Sequence, residues 1–266
     1  MKGGPSQPPL GAGGPIGANP SFVELIRSTE PQLAPSAKVG SGELGVAHGT
    51  TVLALKFGDG VVMAGDRRAT AGYEIADDRM DKVFPADEYS AISISGAAGQ
   101  AVELVKLFQL ELEHYEKITG DRLSLEGKAN RLAQMIRGNL PMAMQGLIVV
   151  PLFGGFDERR REGRLFRYDA TGGRWEDEDF DSTGSGARAA KGTLKKRWQP
   201  GLPRVVALKV AVEALLDASQ EDVGTGGPDP SRGIFPTVLL INEGGVETLE
   251  DDEVRSAYES VVEERS

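Results

Sequence analysis

The pattern of this sequence changes abruptly at Thr50. Residues 1–49 are rich in glycine and proline, which sustain neither helix nor strand, so this region is not expected to build a core. After Thr50 the residues follow a period of two, and the apolar runs Thr51–Phe57 and Val61–Gly65 flank Gly58-Asp59-Gly60. Such runs on both sides of a glycine-rich turn are typical of a β-hairpin. The folded region is therefore predicted to begin with a strand directly after Thr50.

A cut between Gly49 and Thr50 would create a residue with unusual chemistry. Its hydroxyl and its free α-amino group would sit on adjacent carbons, so a nucleophile would carry its own base. The reference pKa of an α-amino group is about 7.7–8, against roughly 10.4 for lysine, so a useful fraction is neutral near pH 7. We therefore interpret residues 1–49 as a propeptide that keeps this amine locked in an amide. Gly49 suits the tight turn that brings its carbonyl to the Thr50 hydroxyl.

Composition narrows the class of protein further. The 266 residues, 39% hydrophobic and 26% charged, fit a globular chain with one large or two small domains. The net charge of −10 argues against a nucleic-acid binder. The absence of cysteine excludes disulfides, thiolate catalysis and Cys-based metal sites, and we expect neither a metal nor an organic cofactor. No apolar run is long enough to span a bilayer and no secretory signal opens the chain, so a cytoplasmic location is predicted.

The middle of the chain predicts two consecutive helices. Apolar residues recur at helical spacing from Val102 to Tyr115 and again from Leu125 to Leu140, and Ser124 is placed to cap the second helix. Each amphipathic helix must bury one face against a sheet. Further along, four segments predict strands: Gly146–Phe153, Arg164–Tyr168, Arg174–Trp175 and Pro236–Ile241.

Other segments complete the predicted order of elements. Ser182–Gly186 is interpreted as a tight loop, and Asp251–Glu263 as a terminal helix. Val205–Leu216 is apolar around most of its circumference and predicts a helix buried on more than one side. The order of strands, two helices, strands, further helix and strand predicts an α+β fold, a four-layer αββα sandwich of two antiparallel sheets.

Five short motifs carry a resemblance to a known family: Thr50-Thr51-Val52, Gly65-Asp66-Arg67-Arg68, Asp81-Lys82-Val83, Ser95-Gly96-Ala97-Ala98-Gly99 and Gly184-Ser185-Gly186. Together they resemble the proteasome β-subunit, of the actinobacterial type, in the superfamily of N-terminal-nucleophile hydrolases. The match covers about residues 50–245, and its most specific part is the joint spacing of Thr50, Asp66 and Lys82. The resemblance implies autocatalytic removal of residues 1–49 and a mature catalytic domain of residues 50–266.

The resemblance also implies a role for each catalytic candidate. Thr50 would be the nucleophile, Lys82 would lie beside it, and Asp66 would hold Lys82 charged. The backbone N–H of Gly96 would stabilise the developing oxyanion. Three supporting groups would surround the terminal amine: Ser185, Asp222 and Thr225. The family usually has serine at the last of these positions, and threonine keeps the hydroxyl.

Substrate contacts are implied in the same way. The primary specificity pocket would be lined by uncharged side chains, which favours an apolar residue on the acyl side of the scissile bond. These residues are Ala69, Met80, Ile94, Ala98 and Val102. A second group of residues, which shares Ala98 with the first, would contact the backbone of an extended peptide, so that the peptide binds as an added β-strand. They are Arg68, Thr70, Gly96 and Ala98.

The implied assembly comprises two seven-membered β rings stacked between rings of α-subunits. A separate ATP-dependent ring would unfold the protein substrates, which in actinobacterial relatives are marked by a small ubiquitin-like protein. Two alternatives remain at this point. One is a two-ring threonine peptidase of the HslV type, with six-fold rings; the other is a non-catalytic subunit that only builds a ring. The joint presence of Thr50, Asp66 and Lys82 weighs against the second.

Overall fold

A computed structural model describes residues 49–72 and 74–266. The predicted propeptide lies outside the described residues except for Gly49, its last residue. Within the described part, no helix has the length and apolar character needed to cross a membrane.

The first sheet is antiparallel and has five strands in the order β10-β1-β2-β11-β12. Its strands are β1 (Thr51–Phe57), β2 (Gly60–Gly65), β10 (Phe180–Gly184), β11 (Thr237–Asn242) and β12 (Gly245–Thr248). The predicted hairpin is present, because β1 and β2 pair across the short turn between them. β1 lies between β10 and β2, so the start of this strand is enclosed on both sides.

The second sheet is also antiparallel, with five strands in the order β5-β6-β7-β8-β9. Its strands are β5 (Val83–Asp87), β6 (Ser90–Gly96), β7 (Val149–Asp157), β8 (Glu162–Tyr168) and β9 (Arg174–Asp177). A separate two-stranded ladder joins β3 (Ala69–Ala71) and β4 (Glu74–Asp77), which the sequence did not predict.

Six helices lie in the described part of the chain. They are α1 (Ala98–Thr119), α2 (Leu125–Gly138), α3 (Leu140–Ala143), α4 (Ala187–Arg197), α5 (Arg204–Glu221) and α6 (Asp251–Arg265). The predicted cap of α2 is present, since the Ser124 hydroxyl accepts a hydrogen bond from the Gly127 N–H at 3.2 Å. This bond satisfies one of the backbone donors that a helix start leaves unpaired.

Three apolar clusters hold four layers together. Val52 and Met63 of the first sheet pack against Leu152 and Leu165 of the second. The outer face of the first sheet packs on α4, α5 and α6, and the outer face of the second on α1 and α2. Helix, sheet, sheet and helix therefore follow in order, which confirms the predicted αββα sandwich.

Several predicted boundaries were wrong. β7 begins at Val149, because residues before it form a turn around Gly146. The segment predicted as a loop is strand up to Gly184, since long-range pairing with β1 holds it. Helix α4 follows that strand and was not predicted. The long helix is buried along most of its length, and Val205 at its start is 62% exposed in the single chain, so its burial between subunits stays a prediction.

Candidate active site

Thr50 sits in the corner where the first sheet begins. It precedes β1 and is only 6% exposed. Its carbonyl accepts a hydrogen bond from the Ser185 N–H at 2.8 Å, which extends the β1–β10 ladder by one residue. Its hydroxyl donates to the Gly49 carbonyl oxygen at 2.6 Å, and its N–H donates to the Ser185 Oγ at 3.3 Å. The backbone on both sides of the Gly49–Thr50 peptide bond is therefore held in place.

Asp66 directly follows β2, and pairing with β1 brings it to the start of that strand. Its Oδ1 accepts the Thr51 N–H at 2.7 Å, and its Oδ2 accepts the N–H groups of Arg68 at 2.9 Å and Gly226 at 2.8 Å. The Lys82 ammonium donates to Oδ1 at 2.7 Å. The carboxylate is 1% exposed, and four donors replace its lost hydration.

Lys82 is the buried cation of the site. It lies one residue before β5 and is 1% exposed. Its ammonium contacts Asp66 and the Arg68 carbonyl. Burial lowers the pKa of this ammonium below its usual range, while the carboxylate of Asp66 acts in the opposite direction. A lysine in this state can hold a positive charge for electrostatic work, yet gives up a proton more readily than one in water.

Gly96 ends β6 with a φ of 107°, a conformation that favours glycine. A Cβ at this position would lie 2.0 Å from the Ile148 carbonyl oxygen, so no side chain fits. Gly96 and Thr50 line one small cavity.

Two loops bring the supporting polar groups to the Thr50 amide. Ser185 follows β10, and Asp222 and Thr225 follow α5. The hydroxyls of Ser185 and Thr225 both donate to Asp222 Oδ2, each at 2.5 Å. The structure therefore brings these three predicted residues together behind the Thr50 nitrogen.

The cavity in front of Thr50 contains most of the residues assigned to substrate contacts. It is lined by Gly49, Thr50, Ala69, Met80, Lys82, Ile94, Ser95, Gly96, Ala98 and Ala101. Val102, assigned to this pocket by resemblance, is half-buried and packs against the core beneath α1, and its contact with substrate stays a prediction. Its neighbour Ala101, about 100° away around the helix, lies in the lining of the cavity.

Ser95 and Ala101 are lining residues that the sequence reasoning missed. Helical spacing from Ala98 would have indicated Ala101, three residues on. Ser95 gave no comparable signal, and its hydroxyl donates to the Val150 carbonyl at 2.9 Å.

Two further predicted residues frame the entrance. The Thr70 hydroxyl accepts the Gly49 N–H at 3.0 Å, so it already holds a peptide backbone. An Nη of Arg68 donates to the Val223 carbonyl at 3.2 Å and lies 3.4 Å from the Thr225 carbonyl oxygen. Arg68 therefore fastens the loop that carries Asp222 to the strand end that carries Asp66.

The site thus joins a hydroxyl, a buried ammonium and an adjacent peptide carbonyl in one enclosed corner. Comparison with known proteins gives the wider context. Residues 46–228 match the family described as "Proteasome subunit". The chain belongs to the proteasome subunit family.

Two similar proteins are both named "Proteasome subunit beta". The one from Acidimicrobium ferrooxidans is 52% identical over 251 residues, which cover 92% of this chain and 91% of the relative. The one from Streptomyces griseus subsp. griseus is 52% identical over 248 residues, which cover 92% of this chain and 88% of the relative. The chain is accordingly a catalytic bacterial proteasome β-subunit and a peptide hydrolase, which favours this function over the two alternatives above.

Proposed function

We propose that the chain is a threonine-type endopeptidase subunit made as an inactive precursor. Residues 1–49 would be the propeptide and residues 50–266 the mature subunit. One observation carries the proposal: the Thr50 hydroxyl lies 2.6 Å from the carbonyl oxygen of the bond to be cut, in a cavity that Lys82 also lines. A hydroxyl that is already held against the carbonyl group it would attack needs no bimolecular encounter, which lowers the entropic cost of the reaction.

Activation would begin with attack of the Thr50 Oγ on the Gly49 carbonyl carbon. The Oγ–C bond forms and the C–N bond breaks, and the proton of the Thr50 hydroxyl passes to the nitrogen, which becomes the free amine. Water then hydrolyses the resulting ester, which releases a carboxylate at Gly49 and restores the Thr50 hydroxyl. Until that point the amide nitrogen has no basic lone pair, so the precursor lacks its base.

The same groups would then cut a substrate. The freed Thr50 amine takes the proton of its own hydroxyl, directly or through water, as the Oγ attacks the peptide carbonyl. The amine then passes this proton to the leaving nitrogen as the scissile C–N bond breaks, and water hydrolyses the remaining ester. The positive charge of Lys82 lowers the energy of the ionising Oγ, and Asp66 holds that charge in place. The Gly96 N–H donates to the oxyanion.

Substrate choice would follow from the cavity. The lining residues Ala69, Met80, Ile94 and Ala98 carry no charge, so an apolar side chain on the acyl side of the scissile bond is favoured. Thr70 and Arg68 would frame the extended backbone. The hydrogen bond from the Gly49 N–H to Thr70 supports this, since a substrate N–H can take the same place.

The proposed assembly rests on family resemblance and on the relatives' names. Seven copies would form a ring, and two such rings would stack between α-subunit rings in the cytoplasm. An ATP-dependent ring partner would deliver unfolded proteins, including those marked by a small ubiquitin-like protein.

Intact mass spectrometry of the chain assembled with its α-subunits tests the proposal. We expect a mature species that begins at Thr50 and hydrolyses a fluorogenic peptide with an apolar residue before the cut. The Thr50→Ala variant should keep its full length and lose at least about 10³-fold in activity, as expected for loss of a nucleophile. Thr50→Ser, which keeps the hydroxyl, should be processed. A fully active Thr50→Ala particle would overturn the assignment.

A further inference from the structure

The hydrogen bonds around the Thr50 amide continue from Thr225 to a further hydroxyl, that of Thr51. Thr51 is the first residue of β1 and is completely buried. The Thr51 Oγ1 accepts the Gly186 N–H at 3.0 Å and lies 2.6 Å from the Thr225 Oγ1. Thr51 faces away from the cavity in which peptide would bind, so it takes no direct part in the chemistry.

The direction of these hydrogen bonds follows from counting protons. A threonine hydroxyl has one proton to donate. Thr225 gives its proton to Asp222 Oδ2, so Thr51 must be the donor in its contact with Thr225. Asp222 Oδ2 also accepts the Ser185 hydroxyl, whose oxygen in turn accepts the Thr50 N–H. A continuous chain of hydrogen bonds therefore connects the Gly186 N–H with the Thr50 N–H, and its two branches both donate toward Asp222 Oδ2.

The path is closely enclosed. Thr51 and Thr225 are each 0% exposed. A Cβ on Gly186 would lie 2.5 Å from the Thr51 Oγ1 and 2.7 Å from the Thr225 Oγ1, so only glycine allows the loop to approach both hydroxyls. Hydrogen bonds in such a dry site strengthen one another along a chain.

Three charged groups also face this corner. Lys82 interacts favourably with Asp222 across the site, and Asp66 holds Lys82. Arg68 bonds to the backbone of the loop that carries Asp222. The second oxygen of Asp222 accepts the Gly224 N–H at 3.2 Å. Among the described residues, none of these groups bonds to the Thr51 hydroxyl, since Asp66 accepts only the backbone N–H of Thr51. The hydroxyl can therefore be removed without removing a charge.

We propose that Thr51 is a positioning residue that sets the basicity of the terminal amine through Thr225 and Asp222. This inference rests on the proposed role of Thr50. Donation from Thr51 makes Thr225 a better donor to Asp222, which spreads the negative charge of that carboxylate. Without it, Asp222 carries more negative charge toward the amine, and the protonated, inactive form of the amine is favoured.

The Thr51→Val variant, which keeps the shape and β-branching of the side chain, tests this. We measure kcat/KM of the assembled, processed enzyme between pH 5.5 and 9.5. The acid limb should move to higher pH by about 0.3–1 unit, the size of one modest hydrogen bond expressed as a pKa change. The loss should therefore be about two- to ten-fold at low pH and vanish on the alkaline side. Thr51→Ser should restore the profile, and Thr248→Val, in the exposed strand β12, should leave it unchanged.

Loss of packing alone would lower kcat/KM equally at every pH, and that result would overturn the proposal. An unchanged profile in Thr51→Val would do the same. If the valine variant does not assemble, Thr51→Ala is measured against Thr51→Ser by the same criteria. The Thr50→Ala variant separates the two proposals. Full activity of Thr50→Ala would overturn the proposed function itself. An inactive Thr50→Ala variant together with an unshifted pH profile of Thr51→Val would overturn only the proposed role of Thr51.

Discussion

The Asp66→Asn substitution probes the electrostatic centre of the site. Asparagine has the same shape, but it offers one carbonyl oxygen where the carboxylate offers two charged ones. Asp66 accepts hydrogen bonds from four donors, two at each oxygen. In the variant, an amide NH₂ would replace one of the oxygens and face two of these donors. The Lys82 ammonium, 1% exposed, would also lose its counter-charge.

The expected loss of stability is large. Removing one partner of a buried ion pair costs about 3–5 kcal/mol, because the remaining charge stays uncompensated. The pKa of the Lys82 ammonium should fall further, since burial already lowers it and the opposing carboxylate is gone. We therefore expect Asp66→Asn to lower the free energy of unfolding by about 3–5 kcal/mol and to abolish processing.

Denaturant unfolding of the full chain measures the stability, and intact mass measures the processing. Asp59→Asn, in the exposed turn between β1 and β2, is the matched control and should change stability by less than about 0.5 kcal/mol. The double variant Asp66→Asn/Lys82→Met should be more stable than Asp66→Asn alone, because it removes the lone charge. A loss below about 1 kcal/mol, or a double variant no better than the single one, would refute the reasoning.

Three other outcomes are expected. Gly49→Ala should slow processing at least about ten-fold, measured by intact mass over time. The new Cβ would lie 2.6 Å from the Gly224 carbonyl oxygen and would distort the bond to be cut. The control Gly58→Ala, whose Cβ has ordinary contacts, should process normally. Burial raises the pKa of the Asp177 carboxyl from 3.8 to about 6. The folded chain therefore holds an extra proton between these values and loses stability as pH rises through them. Asp177→Asn should flatten this decline and raise the free energy of unfolding by up to about 3 kcal/mol at pH 7. Denaturant unfolding at pH 4 and pH 7 measures the decline, and an equal decline in the variant and the parent chain would contradict the prediction. Ser93→Ala removes a fully buried hydroxyl that has no hydrogen-bond partner among the described residues, so unfolding experiments should find equal or higher stability; a loss above about 1 kcal/mol would contradict this.

Local pattern was enough for much of the fold. The alternation around the β1–β2 turn and the helical spacing in α1 and α2 each reflect backbone geometry over a few residues, which a sequence shows directly. The resemblance of the motifs to the proteasome β-subunit likewise pointed to Thr50, Asp66 and Lys82 as a group. Their separation in sequence is short, because two strands and a small ladder join them.

Long-range pairing decided what the sequence could not. Ser182–Gly184 has the composition of a loop, yet it pairs with β1 as a strand. The backbone hydrogen bonds of this pairing do not depend on the side chains. The contact between Thr51 and Thr225 joins residues 174 positions apart, so no local spacing predicts it. Val102 and Ala101 differ only by a rotation about the axis of α1, which packing against the second sheet fixes.

The sequence by itself determined the β1–β2 hairpin, the helices α1 and α2, the negative charge and the hydroxyl residue at the proposed cut. Only the tertiary structure decided which hydroxyls are joined by hydrogen bonds and which oxygen of Asp66 contacts the buried ammonium of Lys82. The reason is physical: periodicity and turn propensity act between neighbours in the chain, whereas hydrogen bonds and desolvation depend on distances that exist only after the layers have packed.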